Sequence, residues 1–248
     1  MASPTIPTPE SPEEVSSLGR VVGVIFSPKA TFQSIARRPT WLVPIILLCI
    51  VESCIVGVYG HRIGWRGLIE KQMAANSQFQ QLTAAEQESR IQLGLKYAPP
   101  VAYVEVIVGP FLAVLMFAGI FWLIFNLAVG AKFGFKTSLA VVSYGLVPGI
   151  LLSLVGILII FLKDPSDVDL QHLVASNAGT FLSSDSSKWL VALLSSFDLF
   201  LFWEMILLAM GFNAAAPKKI SFAGAFFWIL GLWALVVFIR VGFAAAFS

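Results

Sequence analysis

Apolar residues are gathered into five long runs that are separated by polar stretches along most of the chain. About 20 consecutive apolar residues form a helix long enough to cross the hydrocarbon core of a bilayer. Together the runs predict an all-α membrane fold with five transmembrane helices. We place these helices over residues 41–60, 101–129, 138–162, 189–212 and 222–247.

The stretch between the first and second runs, residues 61–100, is polar enough to face water and predicts two helices, the second over residues 83–97. Thr83 and Glu86 match a capping box, in which each residue satisfies a free backbone amide of the other. The Pro99-Pro100 pair is expected to stop the second helix. We therefore predict a helical extramembrane hairpin between the first and second spans.

The third run carries small residues on one helical face. At 100° per residue, Gly145, Gly149 and Gly156 share that face with Ser138 and Ser153. Small residues let a neighbouring backbone approach closely in lipid. The proline that follows Val147 interrupts the hydrogen bonds of the helix and predicts a kink. The result is a close-packed, kinked central helix, whose small-residue face either packs only or also binds a ligand.

The N-terminal region divides into two parts. Residues 1–17 are rich in Pro, Ser, Thr and Glu, which predicts a disordered tail. Residues 18–40 predict an amphipathic helix region, because Ser27-Pro28 is typical of a helix start and Pro39 of a helix end. This region either lies on the membrane surface or packs against the protein's own loops. Residues 41–248 form the five-span membrane domain.

Composition agrees with the membrane class. Hydrophobic residues make up 58% of the chain and charged residues 12%, with a mean hydropathy of +0.86. A soluble domain has about a quarter of its residues charged. The formal net charge of +2, without a basic block, argues against nucleic acid as a partner.

Basic residues indicate the orientation. The side that holds the N-terminus would carry eight Lys or Arg residues, and four of these fall in two short loops. Short basic loops mark the cytoplasmic side, so we predict a cytoplasmic N-terminus. These eight residues are also the candidate contacts for a partner or for lipid: Arg20, Lys29, Arg37, Arg38, Lys132, Lys136, Lys218 and Lys219.

Four of the ionisable residues within the predicted spans are candidates for a function: Glu52, Asp198, Glu204 and Arg240. Charge at membrane depth is costly and is usually functional. Asp198 and Arg240 lie at similar heights when depth is counted at about 1.5 Å per residue, so we predict an ion pair between them. Glu52 and Glu204 either make hydrogen bonds between helices or line a polar cavity for an ion or proton.

No catalytic, cofactor or metal site is predicted. The two histidines, His61 and His172, fall in predicted loops and belong to no metal-binding or Ser–His catalytic pattern. The sequence also has no His-Glu-x-x-His motif and no phosphate-binding Gly-rich loop. We therefore expect a protein that is not an enzyme and needs no cofactor.

Three groups of residues resemble the Yip1-domain family in its bacterial type. They are Ser27-Pro28, Phe32, Ile35 and Arg38-Pro39-Thr40-Trp41-Leu42-Val43-Pro44; then Ser143-Tyr144-Gly145-Leu146-Val147-Pro148; and then Asp198-Leu199-Phe200 with Trp203 and Gly211-Phe212. The resemblance covers most of the chain after Leu18. A motif of the Asp-Leu-Tyr-Gly-Pro type, found in eukaryotic members, is not evident here. The candidate family-motif and helix-packing residues are Tyr144, Gly145, Pro148, Gly149 and Gly156.

The resemblance implies a function. Eukaryotic members of that family bind small GTPases through their cytoplasmic parts and act in vesicle traffic. We expect a Yip1-like integral protein of a bacterial cytoplasmic membrane that acts as an interaction, membrane-organising or trafficking-type component. Its expected partners are the lipid bilayer and an unidentified membrane or cytoplasmic protein, and a homo-oligomer stays open. The alternative is a small transporter or channel that uses Glu52 and Glu204.

Overall fold

The computed structural model describes residues 16–74, 76–164, 173–183 and 186–246, and these residues are almost entirely helical. A π-helical turn, Ile124–Ala128, extends the sixth helix, and a 3-10 turn, Ala178–Phe181, precedes the ninth. The α-helices are α1 (Ser17–Phe26), α2 (Pro28–Arg37), α3 (Leu42–Arg62), α4 (Trp65–Ala74), α5 (Ser77–Gln80), α6 (Ala84–Leu123), α7 (Phe135–Gly145), α8 (Val147–Leu162), α9 (Lys188–Leu194), α10 (Leu199–Ala215) and α11 (Phe222–Ala246).

Four helical stretches in the described residues are long and apolar enough to cross a bilayer: Leu42–Arg62, Ala84–Ala128, Phe135–Leu162 and Phe222–Ala246. The α1 and α10 helices are apolar as well, but shorter. The protein is therefore an all-α integral membrane protein. The predicted span over residues 189–212 is not one helix, because the chain leaves helical geometry between α9 and α10.

The bundle core is aromatic and lies between α6, α7, α10 and α11. Phe212 on α10 is fully buried, and its ring lies 5.3 Å from that of Phe121 and 4.6 Å from that of Phe125. Tilted aromatic pairs at these distances contribute about 0.5–1.5 kcal/mol each beyond the area they bury. The loop that follows the π-helical turn joins the same cluster through Phe133, whose ring lies 5.9 Å from Phe212.

The helix that contains the second predicted span begins at Ala84, much earlier than the predicted span itself. The capping box is present, since Glu86 N–H donates to Thr83 Oγ1 and Thr83 N–H donates to the Glu86 carboxylate. The helix that it starts does not end at Pro99-Pro100, however, and α6 runs on through both prolines. The prediction of a stop there was wrong. Packing of α6 against α3, α4 and α7 outweighs the two hydrogen bonds that the prolines remove.

Helix α4 lies along the first part of α6, as the predicted hairpin requires. Ile69 and Ile91 are both buried, and a Cβ placed on Gly94 would stand 2.8 Å from Ile69 Cγ2. Arg66 donates to Glu88 and to Glu70, and these hydrogen bonds raise the pKa of its guanidinium. The pairs are half exposed, so they add little to stability.

The N-terminal helices are docked on the bundle. Val24 of α1 and Phe32 and Ile35 of α2 are fully buried, and α2 packs against α7 and α10. Pro28 starts α2 as predicted, although the Ser27 side chain makes no capping hydrogen bond. Of the two predictions for this region, packing against the protein describes the inner face. The outer face of α1 stays apolar and exposed, at Leu18, Val22 and Phe26.

Two predictions concern residues that the structure describes only in part. Most of the predicted disordered tail, residues 1–15, lies outside the described residues. The polar stretch after the third apolar run also predicts a short interfacial helix over residues 170–182, of which residues 170–172 lie outside the described residues. The described remainder contains only the 3-10 turn Ala178–Phe181.

Candidate functional site

The first break in the bundle separates α7 from α8. Leu146 leaves helical geometry with φ −85° and ψ 4°, and Pro148 occupies the first turn of α8. The Gly149 N–H donates to the Leu146 carbonyl at 3.0 Å and so closes a tight turn across the break. Proline is suited to a first turn because its missing N–H would have had no helical partner. The predicted kink is therefore present, as a one-residue interruption at Leu146.

The small-residue face meets α10 at this break. A Cβ placed on Gly145 would stand 2.5 Å from Leu208 Cδ2, and one on Gly149 would stand 3.1 Å from Glu204 Oε1. No side chain fits at Gly145 unless Leu208 moves, so the close approach depends on glycine there. Ser138 points elsewhere, since its hydroxyl donates to the Ala118 carbonyl of α6.

The two intramembrane glutamates come to the same face of α8. Ser153 donates its hydroxyl hydrogen bond to Glu52 of α3, and Glu204 of α10 lies against Gly149. Gly149 and Ser153 are four residues apart, which places them one above the other on a helix. One face of α8 therefore meets two acids, which different neighbouring helices contribute. Across the described ranges, no three His, Cys, Asp or Glu side chains are grouped so that they could hold a metal ion.

The second break separates α9 from α10 and is closed by polar groups. Asp198 is the N-cap of α10, and its Oδ1 accepts from the N–H of Phe200 at 2.8 Å and of Leu201 at 3.1 Å. Its other carboxylate oxygen accepts from the Ser176 hydroxyl. The segment around Ser176 also pairs with the break through the backbone, because the Leu199 N–H donates to the Ser176 carbonyl at 3.0 Å.

This geometry corrects the predicted ion pair between Asp198 and Arg240. The ion pairs between described residues both involve Arg66, and neither Asp198 nor Arg240 takes part. The sequence argument matched the two residues by height alone. Asp198 instead satisfies amides that the helix start leaves free, which an acid placed just before an apolar helical run does well.

A cavity of about 280 Å³ lies between the two breaks. Leu146 of the first break and Ser195 and Ser196 of the second line it, together with Glu204 and Arg240. The rest of its wall is aliphatic and aromatic and belongs to α6, α7, α10 and α11. Ligand sites of membrane transporters also form where helices are interrupted, so this is the first place in the described structure to look for a function.

Comparison with known protein families shows which family this chain belongs to. The sequence profile of the Yip1 domain matches residues 22–239, which is most of the chain. The chain belongs to the Yip1 domain family. That family is linked to membrane trafficking. No curated protein and no solved structure is similar enough to this chain to match it.

Two of the three groups of residues predicted to carry the family resemblance include a break of the Yip1-domain chain. Tyr144, Gly145 and Pro148 surround the first break, and Asp198 caps the second. Gly156 lies two turns beyond the first break, and a Cβ there would stand 3.0 Å from Leu173 Cδ2. Ser176 and Thr40 were not predicted as site residues. A Ser or Thr in a polar stretch gives no sequence signal of a distant hydrogen-bond partner.

Tyr144 connects the first break to the N-terminal helices. Its side chain is fully buried, and its hydroxyl donates to the Ser17 carbonyl at 3.2 Å and lies 3.2 Å from Thr40 Oγ1. Arg20 joins the same network by donating to the Arg38 carbonyl at 2.8 Å and to Thr40. Arg20 was predicted as a surface contact, but it is only 6% exposed and serves to hold α1 in place.

The other seven predicted contact residues are exposed at one end of the bundle. The segments that carry these residues meet at this end, because Phe32 of α2 packs against Gly211, near the end of α10 and the loop that follows it. The α7 helix begins at the same end, since Val141 also packs against Gly211. We call this surface the basic face; its residues are Lys29, Arg37, Arg38, Lys132, Lys136, Lys218 and Lys219.

Proposed function

We propose that this Yip1-domain chain is a non-enzymatic interaction or membrane-organising component of the trafficking type, and that it acts through the basic face. The observation that carries the proposal is the docking of α1 and α2, which adds their cations to those of two short loops. Family membership favours the same class of function.

The three described segments that carry the basic face are basic in sequence. Residues 16–40, 129–137 and 213–222 contain no Asp or Glu. Each Lys or Arg near an anionic bilayer surface contributes about 1 kcal/mol of attraction. An acidic protein surface would be attracted in the same way, which raises association rates and favours complementary partners.

The proposed topology has five spans, with α9 and α10 together forming the fourth. It divides the chain into a tail at residues 1–17, an interfacial region at 18–40 and a membrane domain at 41–248. The basic face lies in the cytoplasm, as the distribution of Lys and Arg supports. The membrane is then a bacterial cytoplasmic membrane, and the hairpin of α4, α5 and the start of α6 lies on its other side.

Site-specific photocrosslinking in native membranes tests this function. A photoreactive residue is introduced at Lys132 or Lys218 on the basic face, and at Gln92 on α6 as the control position. We expect one protein partner to be captured from both basic positions and not from Gln92. Charge reversal by Lys218→Glu with Lys219→Glu should reduce capture from Lys132. The same adducts at Gln92, or adducts to lipid alone, would contradict a protein-interaction role.

A small transporter or channel is the second candidate, because Glu52 and Glu204 reach the same face of the interrupted α8. Half-helix ends and intramembrane acids occur together at ion and substrate sites of transporters. Purified protein in liposomes should then show uptake that depends on a proton gradient. Glu52→Gln and Glu204→Gln should each abolish that uptake. Liposomes that stay impermeable with the unaltered protein would exclude this candidate.

A further inference from the structure

The cavity between the two helix breaks is bounded in part by α6 and α11, two helices long and apolar enough to span the membrane. Its wall includes Phe117 and Phe121 of α6 and Trp233 and Val236 of α11. The α6 and α11 helices both line the cavity without packing along one another. Val236 is 48% exposed on the outer side of the bundle. Whatever enters between these helices therefore comes from the surrounding lipid.

The wall of the cavity favours an apolar occupant. Aromatic and aliphatic side chains form most of it. Its volume of about 280 Å³ lies just below the usual range for ligand pockets, which suits one flexible chain. Lipid tails are the apolar molecules available at this depth of a bilayer.

Arg240 provides the only cation in the wall of this cavity within the described residues. It lies seven residues after Trp233, which is about 10 Å further along α11 at 1.5 Å per residue. Six described residues of α11 follow it, up to Ala246, so it lies near one end of this span, where a long basic side chain can extend to the level of lipid headgroups. No ion pair between described residues neutralises it. An anion from outside the chain can stabilise an arginine in such a position.

Glu204 makes no ion pair with Arg240 in the described structure, so it does not take the place of that anion. Its carboxylate lies against Gly149 of α8. Phe202, two residues before Glu204, packs against Trp233 with a ring distance of 5.5 Å, whereas Arg240 lies seven residues after Trp233, so Glu204 and Arg240 border different parts of the cavity. An anionic headgroup on Arg240 and an acyl chain below it would therefore match the order of charge and apolar wall.

We propose that the cavity is a binding site for one anionic glycerophospholipid of the surrounding membrane. One acyl chain enters between α6 and α11, and the phosphate contacts the guanidinium of Arg240. The acyl chain gains little free energy by moving from the bilayer into the cavity, because lipid tails are as apolar as the cavity wall. Selectivity must therefore come from the headgroup. This site is independent of the basic face, which lies at the other end of α11.

Photoactivatable lipids test the site. The full chain is reconstituted in zwitterionic phosphatidylcholine bilayers with a trace of phosphatidylglycerol or phosphatidylcholine that carries a diazirine on one acyl chain. Mass spectrometry then locates the adducts. We expect phosphatidylglycerol adducts to concentrate on the cavity walls of α6 and α11. They should exceed phosphatidylcholine adducts there about fivefold, the ratio expected from one Arg–anion contact.

Two pairs of variants separate the site from general lipid contact. Val236→Trp fills the cavity mouth and should remove most cavity adducts, while Leu235→Trp, at a neighbouring exposed position outside the cavity, should keep them. Arg240→Gln should bring phosphatidylglycerol down to the phosphatidylcholine level, and Arg240→Lys should keep the preference. Arg240 is exposed, so its replacement leaves the core intact and the test does not depend on the Trp variant folding.

Three results would overturn the proposal. One is an even spread of adducts around the whole lipid-facing surface. Another is equal labelling of the cavity by the two lipids with Arg240 in place. The third is an unchanged adduct pattern in Val236→Trp. A lipid preference that maps to the basic face instead would reject this site, whereas the proposed function fails when Lys132 and Lys218 capture no protein partner, so the two can fail separately.

Discussion

The two breaks in the bundle interrupt apolar helices by different chemistry. At Leu146 the break is made by a proline that has no N–H to satisfy, and the remaining amide of Gly149 bonds within the turn. At Asp198 the break is closed by a carboxylate that accepts two amides and a hydroxyl. In lipid every backbone group needs a partner inside the protein, so a break must either remove donors or supply an acceptor.

The difference has a consequence for stability. The Leu146 break depends on close packing, because the space at Gly145 is already taken by Leu208. The Asp198 break depends on hydrogen bonds that a single side chain makes. We therefore expect the first to be sensitive to volume and the second to be sensitive to polarity.

The largest effect is expected from added volume at the first break. Gly145→Ala places a methyl group 2.5 Å from Leu208 Cδ2 and 2.9 Å from its Cγ. Overpacking of this kind costs about 1–3 kcal/mol, measured as a loss of unfolding free energy in detergent micelles. Gly119→Ala on α6 is the control, since nothing lies within 4 Å of its Cβ. Equal effects at the two glycines would show that packing does not define this break.

Loss of the acceptor at the second break should be the next largest effect. Asp198→Ala leaves the amides of Phe200 and Leu201 without their side-chain acceptor, which costs about 1–2 kcal/mol for a helix cap. Asp198→Asn keeps an acceptor and should lose less. Adding Arg240→Ala to Asp198→Ala should give additive losses in thermal unfolding, because the two residues share no contact. Recovery of stability in the double variant would restore the ion-pair interpretation.

A smaller effect is expected from the proline itself. Pro148→Ala should lower the unfolding free energy by about 0.4–1 kcal/mol, because proline mainly restricts the unfolded chain when its native φ already fits. The amides of residues 147–150 should keep their hydrogen-exchange rates apart from the new one at 148. A loss larger than that of Asp198→Ala would mean that proline, and not packing, holds the first break.

The smallest effect tests the acids beside α8. Ser153→Ala removes the hydrogen bond to Glu52, and such bonds between membrane helices average about 0.6 kcal/mol. Ser143→Ala is a matched control, because the Ser143 hydroxyl donates to Leu139 of its own helix. Chemical unfolding of both variants in the same detergent gives the difference. A loss of unfolding free energy well above that average would indicate that Glu52 has a role beyond this hydrogen bond between two helices.

Much of the fold follows from the sequence because lipid imposes simple rules. Long apolar runs must be helical, so the runs themselves locate most helices. The position of Pro148 and the spacing of Gly145 and Gly149 also predict a break and a packed face. These features depend on properties of a short segment, which a sequence displays directly.

The errors arise where distant contacts decide. Pro99-Pro100 has the local character of a helix stop, and only the packing of α6 against its neighbours shows that it is not one. Asp198 was treated as a charge inside a span. The start of α10 at Leu199 depends on contacts with the segment that carries Ser176, and the sequence does not show those contacts. Arg20 looked like a surface cation, and its burial depends on Thr40 and the Arg38 carbonyl, which are folded back beside it.

The length of α6 has a mechanical meaning. Its 40 residues extend over about 60 Å, roughly twice the thickness of the hydrocarbon core. About half of this rod must therefore stand clear of the hydrocarbon, braced by α4 through Ile69 and Gly94. A displacement of its capped end would be transmitted along one continuous helix to the π-helical turn and the aromatic core beside Phe125. The helix therefore connects the hairpin outside the hydrocarbon with the core of the bundle.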